Sequence, residues 1–487
     1  KKKINNYRLN LAKDTPNAKT RSLVDVVFTE RSEELLWMPP SAPHYPLEGC
    51  FKGNEQFTKT LLFSSWAMVP RALSGLLSYE AERRLAGQSK KKTRYFRDKK
   101  DKAQPLVRFE GKAGLTGWSL VYPSKALMEL GLPYGIDSLE RLISERTEHF
   151  RIELQKLSKY AHGDSSRNRW YAVACMLLDR ESGNQEWLSQ WLEGEFKDAQ
   201  ERDDRGGRLE HLETLKSIVS DDSGAALELG SMPDDLSEYL ALLSIGSPSV
   251  CAARTFCTVW RSDGTRQSAE TRVGMAIVQM FNKPEAASVI RKGYQGNEYW
   301  RQILRYCISG DLQAMLDEYG HLLHDSGHTV AQASKRLMEV SGLMTNSVGC
   351  QFAHEKHLPA SRESSESSLR CHYAVPLGNQ KATDDKGQQR ISHVRDAFNS
   401  PFKPFVLNST SIGQEGLDFH WYCSRVVHWN LPSNPIDVEQ REGRLNRYKS
   451  LVVRRRVVEA LPNEDESRDN GDYWQTLFER ADALTSD

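Results

Sequence analysis

Apolar residues near the start of this chain form a short continuous run that is followed by a run at helical spacing. In the segment TKTLLFSSW, which begins at Thr58, the residues LLF are followed by Ser64 and Ser65. Pro70 then opens a segment in which apolar residues recur at helical spacing as far as Leu85. A strand, a turn and a helix in this order predict half of a parallel α/β unit. Ligands of such sheets bind beyond the carboxyl ends of strands, where we expect the two serines.

The middle of the chain is predicted to be mostly helical. A small β element, VRFEG and WSLVYP, is expected between Leu106 and Tyr122. Beyond it, amphipathic spacing predicts one long helix from Leu139 to Leu157, and two more helices are predicted at 236–243 and 312–323. No repeat of fixed length is evident, so the simplest interpretation of residues 105–345 is a helical insertion domain.

Strand-like apolar runs resume near Arg370. RCHYAVPL, KPFVLN and RVVHW are predicted strands, and a short helix is predicted between the first two. After the last strand, Asn434 is placed to cap a helix whose first residue is Pro435. Together with the strand after Thr58, these elements predict the α/β class, with a parallel sheet flanked by helices and interrupted by the large insertion.

Net charge does not indicate a partner, because 66 Lys and Arg residues balance 65 Asp and Glu residues and leave a formal charge of +1. One local cluster is strongly basic, the segment KKKTRYFRDKKDK at 90–102. Two interpretations stay open, a solvated loop and a strip that contacts nucleic-acid phosphates, with Tyr95 and Phe96 stacking on bases. The candidate phosphate contacts in this segment are Lys90, Lys91, Lys92 and Arg94.

The expected compartment is the cytoplasm. No apolar run approaches the roughly 20 residues of a membrane helix, and no leader pattern opens the chain. The eight cysteines are scattered without a CxxC pair, which is typical of reduced thiols. Because the first residue is Lys1, we expect the chain to be a piece of a longer polypeptide.

Two polar segments near the C-terminus carry the candidate chemistry, STSIGQEGLD at 409–418 and QREGRLNR at 440–447. In QREGRLNR, Gln440, Arg444 and Arg447 are spaced to share one face of a helix. A glycine inside a helix, here Gly443, costs about 1 kcal/mol relative to alanine, which suggests close approach of another backbone or a ligand. Arginine stays charged and can grip phosphate oxygens at two places. The alternative is a surface helix with incidental arginines.

The first of these segments is the turn STSIGQEGLD, which follows the strand KPFVLN. Its hydroxyl groups and backbone N–H groups suit a nucleic-acid phosphate, with Thr410 and Ser411 as the candidates. The turn also contains two glycines and two acidic residues, and Glu415, Gly416 and Asp418 are its further candidate site residues. Asp418 could hold a ribose hydroxyl or a metal-bound water.

Taken as a set, SSW after a strand, STSIGQEGLD and QREGRLNR resemble motifs IV, V and VI of superfamily 2 helicases. The run RVVHWNLPSNP is similar to that of Swi/Snf-type translocases. The resemblance covers about 46–88 and 370–450, and it implies the second of two RecA-like domains. It also implies that Thr410 contacts nucleic-acid phosphates, that Gly416 and Asp418 contact the nucleotide, and that Arg444 and Arg447 are arginine fingers behind the leading Gln440.

The family's first RecA-like domain has no counterpart in this sequence. No GxxxxGK[ST] occurs, and the nearest run, at 53–60, has Thr58 where the second glycine belongs. The only DE followed by an aromatic residue and glycine, at 317–320, lies in a helical pattern. The resemblance therefore implies that ATP and Mg²⁺ are held mainly by a domain outside this chain, which alone is not expected to hydrolyse ATP.

No metal site is predicted. His321, His324 and His328 share a helical face, but Gly327 interrupts the pattern. A second group consists of residue types that bind zinc, but its spacing matches no zinc-finger pattern. We therefore interpret it as a loop with incidental side chains, and a zinc site is the alternative. The members of this second group are Cys350, His354, His357 and Cys371.

These inferences predict the C-terminal motor half of an ATP-dependent nucleic-acid helicase or translocase, with DNA favoured over RNA. The predicted partners are the first RecA-like domain and a possible protein bound by the insertion. The alternative is a non-catalytic scaffold built on a degenerate helicase domain, and a nuclease in the insertion is a third hypothesis. The predicted segments are a lead-in at 1–45, the RecA-like domain at 46–88 and 346–460, the basic loop at 89–104, the insertion at 105–345 and a tail at 461–487.

Overall fold

The computed structural model divides into two units. It describes residues 2–87, 94–96, 105–109, 114–163, 168–201, 207–220, 229–261, 267–294, 296, 298–343, 350–352, 367–377, 385–410, 418–461 and 471–485. Unit 1 consists of Lys1–Pro39, Gly53–Ala103 and Glu339–Arg456. Unit 2 consists of Pro40–Lys52, Gln104–Met338 and Val457–Asp487.

The chain begins with short helices and then forms the first strand and a long helix. These elements are α1 Lys2–Asn5, α2 Leu11–Asp14, α3 Ala18–Val27, β1 Lys59–Ser64 and α4 Met68–Ala86. A single 3₁₀ turn, Ser32–Glu34, lies between α3 and β1.

The middle of the chain is mostly helical, and its described residues between α4 and β2 contain no strand. Its helices are α5 Trp118–Val121, α6 Lys125–Met128, α7 Leu139–Glu153, α8 Asn168–Glu181, α9 Gln185–Glu201, α10 Gly207–Ser220, α11 Leu236–Gly246, α12 Pro248–Trp260, α13 Gln267–Phe281, α14 Pro284–Gly293, α15 Tyr299–Ser309, α16 Leu312–Asp325 and α17 Val330–Leu343. Two 3₁₀ segments, Leu115–Gly117 and Leu154–Tyr160, accompany them.

The last part of the chain alternates strands with helices. Its elements are β2 Cys350–Phe352, β3 Ser367–Leu369, β4 Ala374–Leu377, α18 Asp385–Phe398, β5 Val406–Thr410, β6 Cys423–His428, α19 Pro435–Glu442, α20 Leu451–Ala460 and α21 Tyr473–Thr485.

Unit 1 is built around a four-stranded sheet in the order β4-β5-β1-β6. All three strand pairings are parallel. The register pairs Ser64 with Thr410 and Phe63 with His428, so the carboxyl ends of β1, β5 and β6 meet at one edge. The predicted fold class is confirmed: this is an α/β RecA-like fold with a helical insertion between its first strand and the others.

Helices cover both faces of this sheet, and its two central strands β1 and β5 are buried at every position. On one face, Leu61 and Phe63 of β1 belong to an apolar cluster that includes Phe398 of α18. On the other face, Asn408 of β5 donates a hydrogen bond of 2.7 Å to Ser74 of α4. The sheet is thereby the middle of three layers, and its strand ends stay at the rim.

The N-terminal segment is part of unit 1, whereas the sequence predicted a lead-in at 1–45. Trp37 forms a β-bridge with Phe402, and the Met38 N–H donates to the Pro401 carbonyl at 2.8 Å. These contacts connect positions that are far apart in sequence, and local patterns do not show them.

Unit 2 contains the helical insertion and two segments that the sequence assigned elsewhere, at 40–52 and 457–487. The buried His44 binds Asp311 at the start of α16 through its backbone N–H at 2.6 Å and its ring Nδ1 at 3.2 Å. At the other end of α16, His321 Nδ1 lies 2.7 Å from Asp472 Oδ2. Polar pairs, one buried and one partly buried, therefore join both segments to α16.

The β element expected between Leu106 and Tyr122 is wrong in its described part. Residues 115–117 form a 3₁₀ turn and 118–121 form α5, because a short apolar run fits a buried helix as well as a strand. Among the described residues, no single helix is long and apolar enough to span a membrane, although α11 and α12, joined at a bend of 44°, reach that length and composition as a pair.

Candidate functional site

The first group of candidate residues lies where β1 and β5 end. Ser64 is buried, and its Oγ lies 3.2 Å from Oδ1 of Asn430, just after β6. Its register partner Thr410 is only 5% exposed, and among the described residues its Oγ1 has no hydrogen-bond partner. A buried hydroxyl without a partner loses the free energy of hydration, so this atom suits a ligand oxygen at the strand ends.

Ser65, the other predicted phosphate contact on this edge, is exposed. It follows the last residue of β1 directly, so the structure brings it to the same edge as Ser64 and Thr410. The structure therefore brings together three of the residues that were predicted to contact nucleic-acid phosphates.

The second group joins the segment after β5 to the turn after α19. The Phe419 N–H donates to the Arg444 carbonyl at 3.3 Å, and the Leu451 N–H donates to the His420 carbonyl at 3.0 Å. Nε of Arg447 lies 3.4 Å from Oδ1 of Asp418. The two polar segments singled out in the sequence are therefore neighbours in the fold.

Both side chains of this ion pair are about half exposed, Arg447 at 55% and Asp418 at 49%. Exposed pairs of this kind are weak and open easily, so the guanidinium remains accessible to a phosphate. Arg444 is half-buried. The ion pair of Arg447 is therefore not a buried one, which is the arrangement that would have excluded a phosphate-binding role for this residue.

One geometric prediction for this segment is wrong. Helix α19 ends at Glu442, so Gly443, Arg444 and Arg447 follow the helix and do not continue the face that carries Gln440. The start of α19 is as predicted, because Asn434 caps it by accepting a hydrogen bond of 3.1 Å from the Ile436 N–H.

Gly443 is the C-cap of α19 and has a right-handed φ of −59°, which any residue adopts. Among the described residues, a Cβ at this position would meet only carbonyl groups of α19 itself, the nearest being that of Glu439 at 3.2 Å. The close approach of another backbone, which the sequence suggested, is therefore not seen there. Gln440 is exposed.

Arg441 is a residue of this site that sequence reasoning missed. It is 8% exposed, its guanidinium carbon lies 4.9 Å from the Phe63 ring centroid, and its Nη1 lies 3.3 Å from Nδ1 of His428. Burial, followed by the guanidinium charge of Arg441, lowers the pKa of His428 below 6.5. The sequence shows an arginine directly after Gln440, but it does not show that Phe63 and His428 pack against this arginine.

The basic segment lies mostly outside the described residues, including Lys90, Lys91 and Lys92. Arg94 is described and exposed. The interpretation in which Tyr95 stacks on bases is wrong, because the Tyr95 ring is fully buried and packs against Tyr7 and Tyr79. Three further candidates, Ser411, Glu415 and Gly416, also lie outside the described residues.

The histidines at 321–328 do not converge. His321 pairs with Asp472, the His324 ring packs edge-on against Trp260, and Nδ1 of His328 lies 3.1 Å from the Leu323 carbonyl. Across the described ranges, no group of three or more His, Cys, Asp or Glu side chains is arranged to hold a metal ion. In the second group, Cys371 is buried in the sheet core, whereas His354 and His357 lie outside the described residues.

The run Asp317-Glu318-Tyr319-Gly320 lies inside α16, as its helical pattern predicted, and not at a strand end. Asp317 and Glu318 have partners within unit 2. Gln313 donates to Oδ1 of Asp317 at 2.8 Å, and the Ser41 N–H donates to Oε2 of Glu318 at 2.7 Å.

Comparison with known families identifies one part of the chain. Residues 361–449 match the helicase conserved C-terminal domain. This range runs from β3 through α19 and includes Arg444 and Arg447, whereas β1 and α4, which complete the sheet, lie outside it. No curated protein and no solved structure shows significant similarity to the chain. Residues 361–449 therefore carry a helicase-type C-terminal domain within the RecA-like fold.

Proposed function

We propose that this chain is the C-terminal motor half of an ATP-dependent nucleic-acid helicase or translocase of superfamily 2, with Swi/Snf-like character. The observation that carries the proposal is the ion pair of Asp418 with Arg447, which brings two polar segments together within the range that matches a helicase C-terminal domain. A cation that is accessible beside a carboxylate suits a nucleotide, whose phosphates need positive charge and whose ribose needs a hydrogen-bond acceptor.

In this proposal, Arg444 and Arg447 contact the terminal phosphate of ATP held mainly by another RecA-like domain. Asp418 acts as the acceptor that orients Arg447 or receives a ribose hydroxyl. ATP supplies the phosphate whose negative charge the arginines stabilise during transfer, and Mg²⁺ is held by the domain with the phosphate loop. Arginines placed in this way contribute roughly 10³ to 10⁵ to the rate in phosphoryl-transfer enzymes.

Nucleic acid occupies the other part of the site in the same proposal. The hydroxyl groups of Ser64, Ser65 and Thr410 contact the phosphates of one strand at the carboxyl edge of the sheet. The partnerless Oγ1 of Thr410 supports this assignment, because it lacks an acceptor or donor among the described residues. We favour DNA as the nucleic acid and the helical insertion as the site of a protein partner.

The test is the ATP turnover of the complete protein that contains this chain and a phosphate-loop domain. Arg444→Ala and Arg447→Ala are each expected to lower nucleic-acid-stimulated ATP hydrolysis by about 10³-fold or more. Arg141→Ala is the matched control, because Arg141 is an exposed arginine in unit 2 that also pairs with a carboxylate, Glu145, at 2.8 Å. Unchanged turnover in both variants would contradict the motor function and favour a non-catalytic scaffold.

A further inference from the structure

The loop after β1 exposes a large aromatic side chain. Trp66 is 62% exposed, and Met68 two residues later is also exposed. Burying an aromatic ring of this size is among the larger favourable contributions available to a folding chain, and here that contribution is not used internally. A solvent-facing tryptophan next to a second large apolar side chain is typical of a contact surface.

The backbone around this tryptophan is fixed. The Trp66 N–H donates to Oγ of Ser64 at 3.1 Å, and the Trp66 carbonyl accepts from the Val69 N–H at 3.1 Å. Oγ of Ser64 in turn lies 3.2 Å from Oδ1 of Asn430. The strand end therefore holds the loop in place while the indole ring faces solvent, which lowers the entropic cost of using that ring in binding.

The surroundings of the ring favour a polyanion. Ser64, two residues before Trp66, is the register partner of Thr410, whose buried Oγ1 has no partner among the described residues. The 19-residue helix α4 begins directly after Trp66 with Ala67 as its N-cap, which offers no side-chain acceptor, and its first turn contains no acidic residue. The positive end of a helix and an unpartnered hydroxyl both suit phosphate oxygens.

We propose that Trp66 stacks on an unpaired base of the nucleic-acid strand whose phosphates lie along Ser64, Ser65 and Thr410. This inference rests on the proposed function, and it adds a contact with bases to a site otherwise made of phosphate contacts. An aromatic face beside phosphate-binding groups is the arrangement by which proteins hold single strands without reading their sequence. We favour nucleic acid over a protein partner because two groups near Trp66, the Thr410 hydroxyl and the N-terminus of α4, suit phosphate oxygens.

The test measures binding of the chain to a fluorescein-labelled oligothymidylate of about 20 nucleotides by fluorescence anisotropy. Because base stacking on an aromatic residue is worth about 1–3 kcal/mol, Trp66→Ala is expected to raise Kd roughly five- to 150-fold. Trp66→Phe keeps an aromatic face and should bind nearly as tightly as the wild type. Leu431→Ala is the matched control for loss of an exposed apolar side chain at 77% exposure, and it should leave Kd unchanged.

Two further measurements separate stacking from other roles of the residue. The slope of log Kd against log salt should be the same for Trp66→Ala and the wild type, because stacking releases no counterions. An oligonucleotide of abasic residues keeps the phosphates and removes the bases, so the wild type and Trp66→Ala should bind it equally. If the variant also loses affinity for the abasic strand, Trp66 acts through the backbone of the loop and the inference is overturned.

The outcomes also distinguish this inference from the function on which it rests. Wild-type binding to the oligothymidylate with no effect of Trp66→Ala would overturn the stacking contact and leave the motor function standing. No wild-type binding to either strand at low salt would overturn both.

Discussion

Nε of Arg447 lies 3.4 Å from Oδ1 of Asp418, so the segment after β5 supplies the carboxylate that faces the arginine after α19. Because both side chains are about half exposed, their pairing is worth less than about 1 kcal/mol of folding free energy. Its role in our proposal is to orient the guanidinium toward a phosphate.

The first prediction concerns Asp418→Asn. The complete protein should lose about tenfold in kcat for ATP hydrolysis, which corresponds to about 1.4 kcal/mol, because the guanidinium loses its orienting charge. The free energy of unfolding, measured with urea, should change by less than about 1 kcal/mol. Glu145→Gln is the control, since it removes the carboxylate of another exposed pair, with Arg141, and should change neither quantity. A kcat equal to that of the wild type would count against the orienting role.

The second prediction concerns Arg441, which stacks on Phe63 and contacts His428. Arg441→Ala should lower the free energy of unfolding by about 2 kcal/mol, because it removes both the cation–π contact and the packing of the side-chain stem. Arg441→Met keeps an apolar stem over the ring and should lose less. Urea denaturation of both variants is the measurement, and Arg447→Ala, an exposed arginine of the same segment, should be as stable as the wild type. Equal stability of Arg441→Ala and the wild type would contradict the packing role.

The third prediction is a dependence of stability on pH. Burial first, and the charge of Arg441 second, lower the pKa of His428 below its usual 6.5. The unfolded chain therefore binds a proton at higher pH than the folded chain does. In the window between the lowered folded pKa and about 6.5, the unfolded state holds more protons, so stability falls as pH falls.

The measurement is the free energy of unfolding at roughly pH 7.5 and pH 5.5. His428→Gln should lose less stability on acidification than the wild type does. Burial also lowers the pKa of His420, so His420→Gln should have an effect in the same direction, and the double variant should be the least sensitive to acid. A steeper acid loss in His428→Gln than in the wild type would show that the direction is wrong.

The fourth prediction concerns Tyr95, whose buried hydroxyl accepts a hydrogen bond of 2.8 Å from the Arg370 N–H. Tyr95→Ala should cost about 3–5 kcal/mol of unfolding free energy, because it leaves a cavity among Tyr7, Tyr79 and Leu369. Tyr95→Phe should cost only about 1 kcal/mol.

Chemical denaturation and strand binding together test this assignment. Tyr95→Leu removes the aromatic ring but keeps a large apolar side chain, and the folded variant should bind the oligothymidylate as the wild type does, because the ring is buried and does not contact bases. A loss of affinity in folded Tyr95→Leu that Tyr95→Phe does not share would restore the base-stacking interpretation of this tyrosine.

Strands β1, β4 and β5 could be predicted from sequence because each contains a continuous apolar run and is almost completely buried in the sheet. The start of α19 could be predicted because an asparagine cap followed by proline is a local signal. The end of α19 was missed for a local reason too. Three polar residues at helical spacing suggested a longer helix, whereas Gly443 ends it.

The remaining differences come from contacts between distant parts of the chain. No local sequence pattern predicts the contacts of Met38 with Pro401, of His44 with Asp311, or of Tyr95 with Tyr7. The same explanation applies to the candidate site. Its polar residues were identified by their chemistry, but the burial of Arg441 and the exposure of Trp66 depend on neighbours that only the fold supplies.

The sheet order also dictates how this protein must be made. β1 lies between β5 and β6, and Asn408 of β5 donates a hydrogen bond to Ser74 of α4, the helix that follows β1, which is 334 residues away in sequence. At about 5–20 residues per second, a ribosome needs roughly 15 to 70 s to deliver the missing strands. Throughout that time β1 and its apolar residues have no sheet to join, so the nascent chain depends on chaperones or on prompt folding of the helical segment to avoid aggregation.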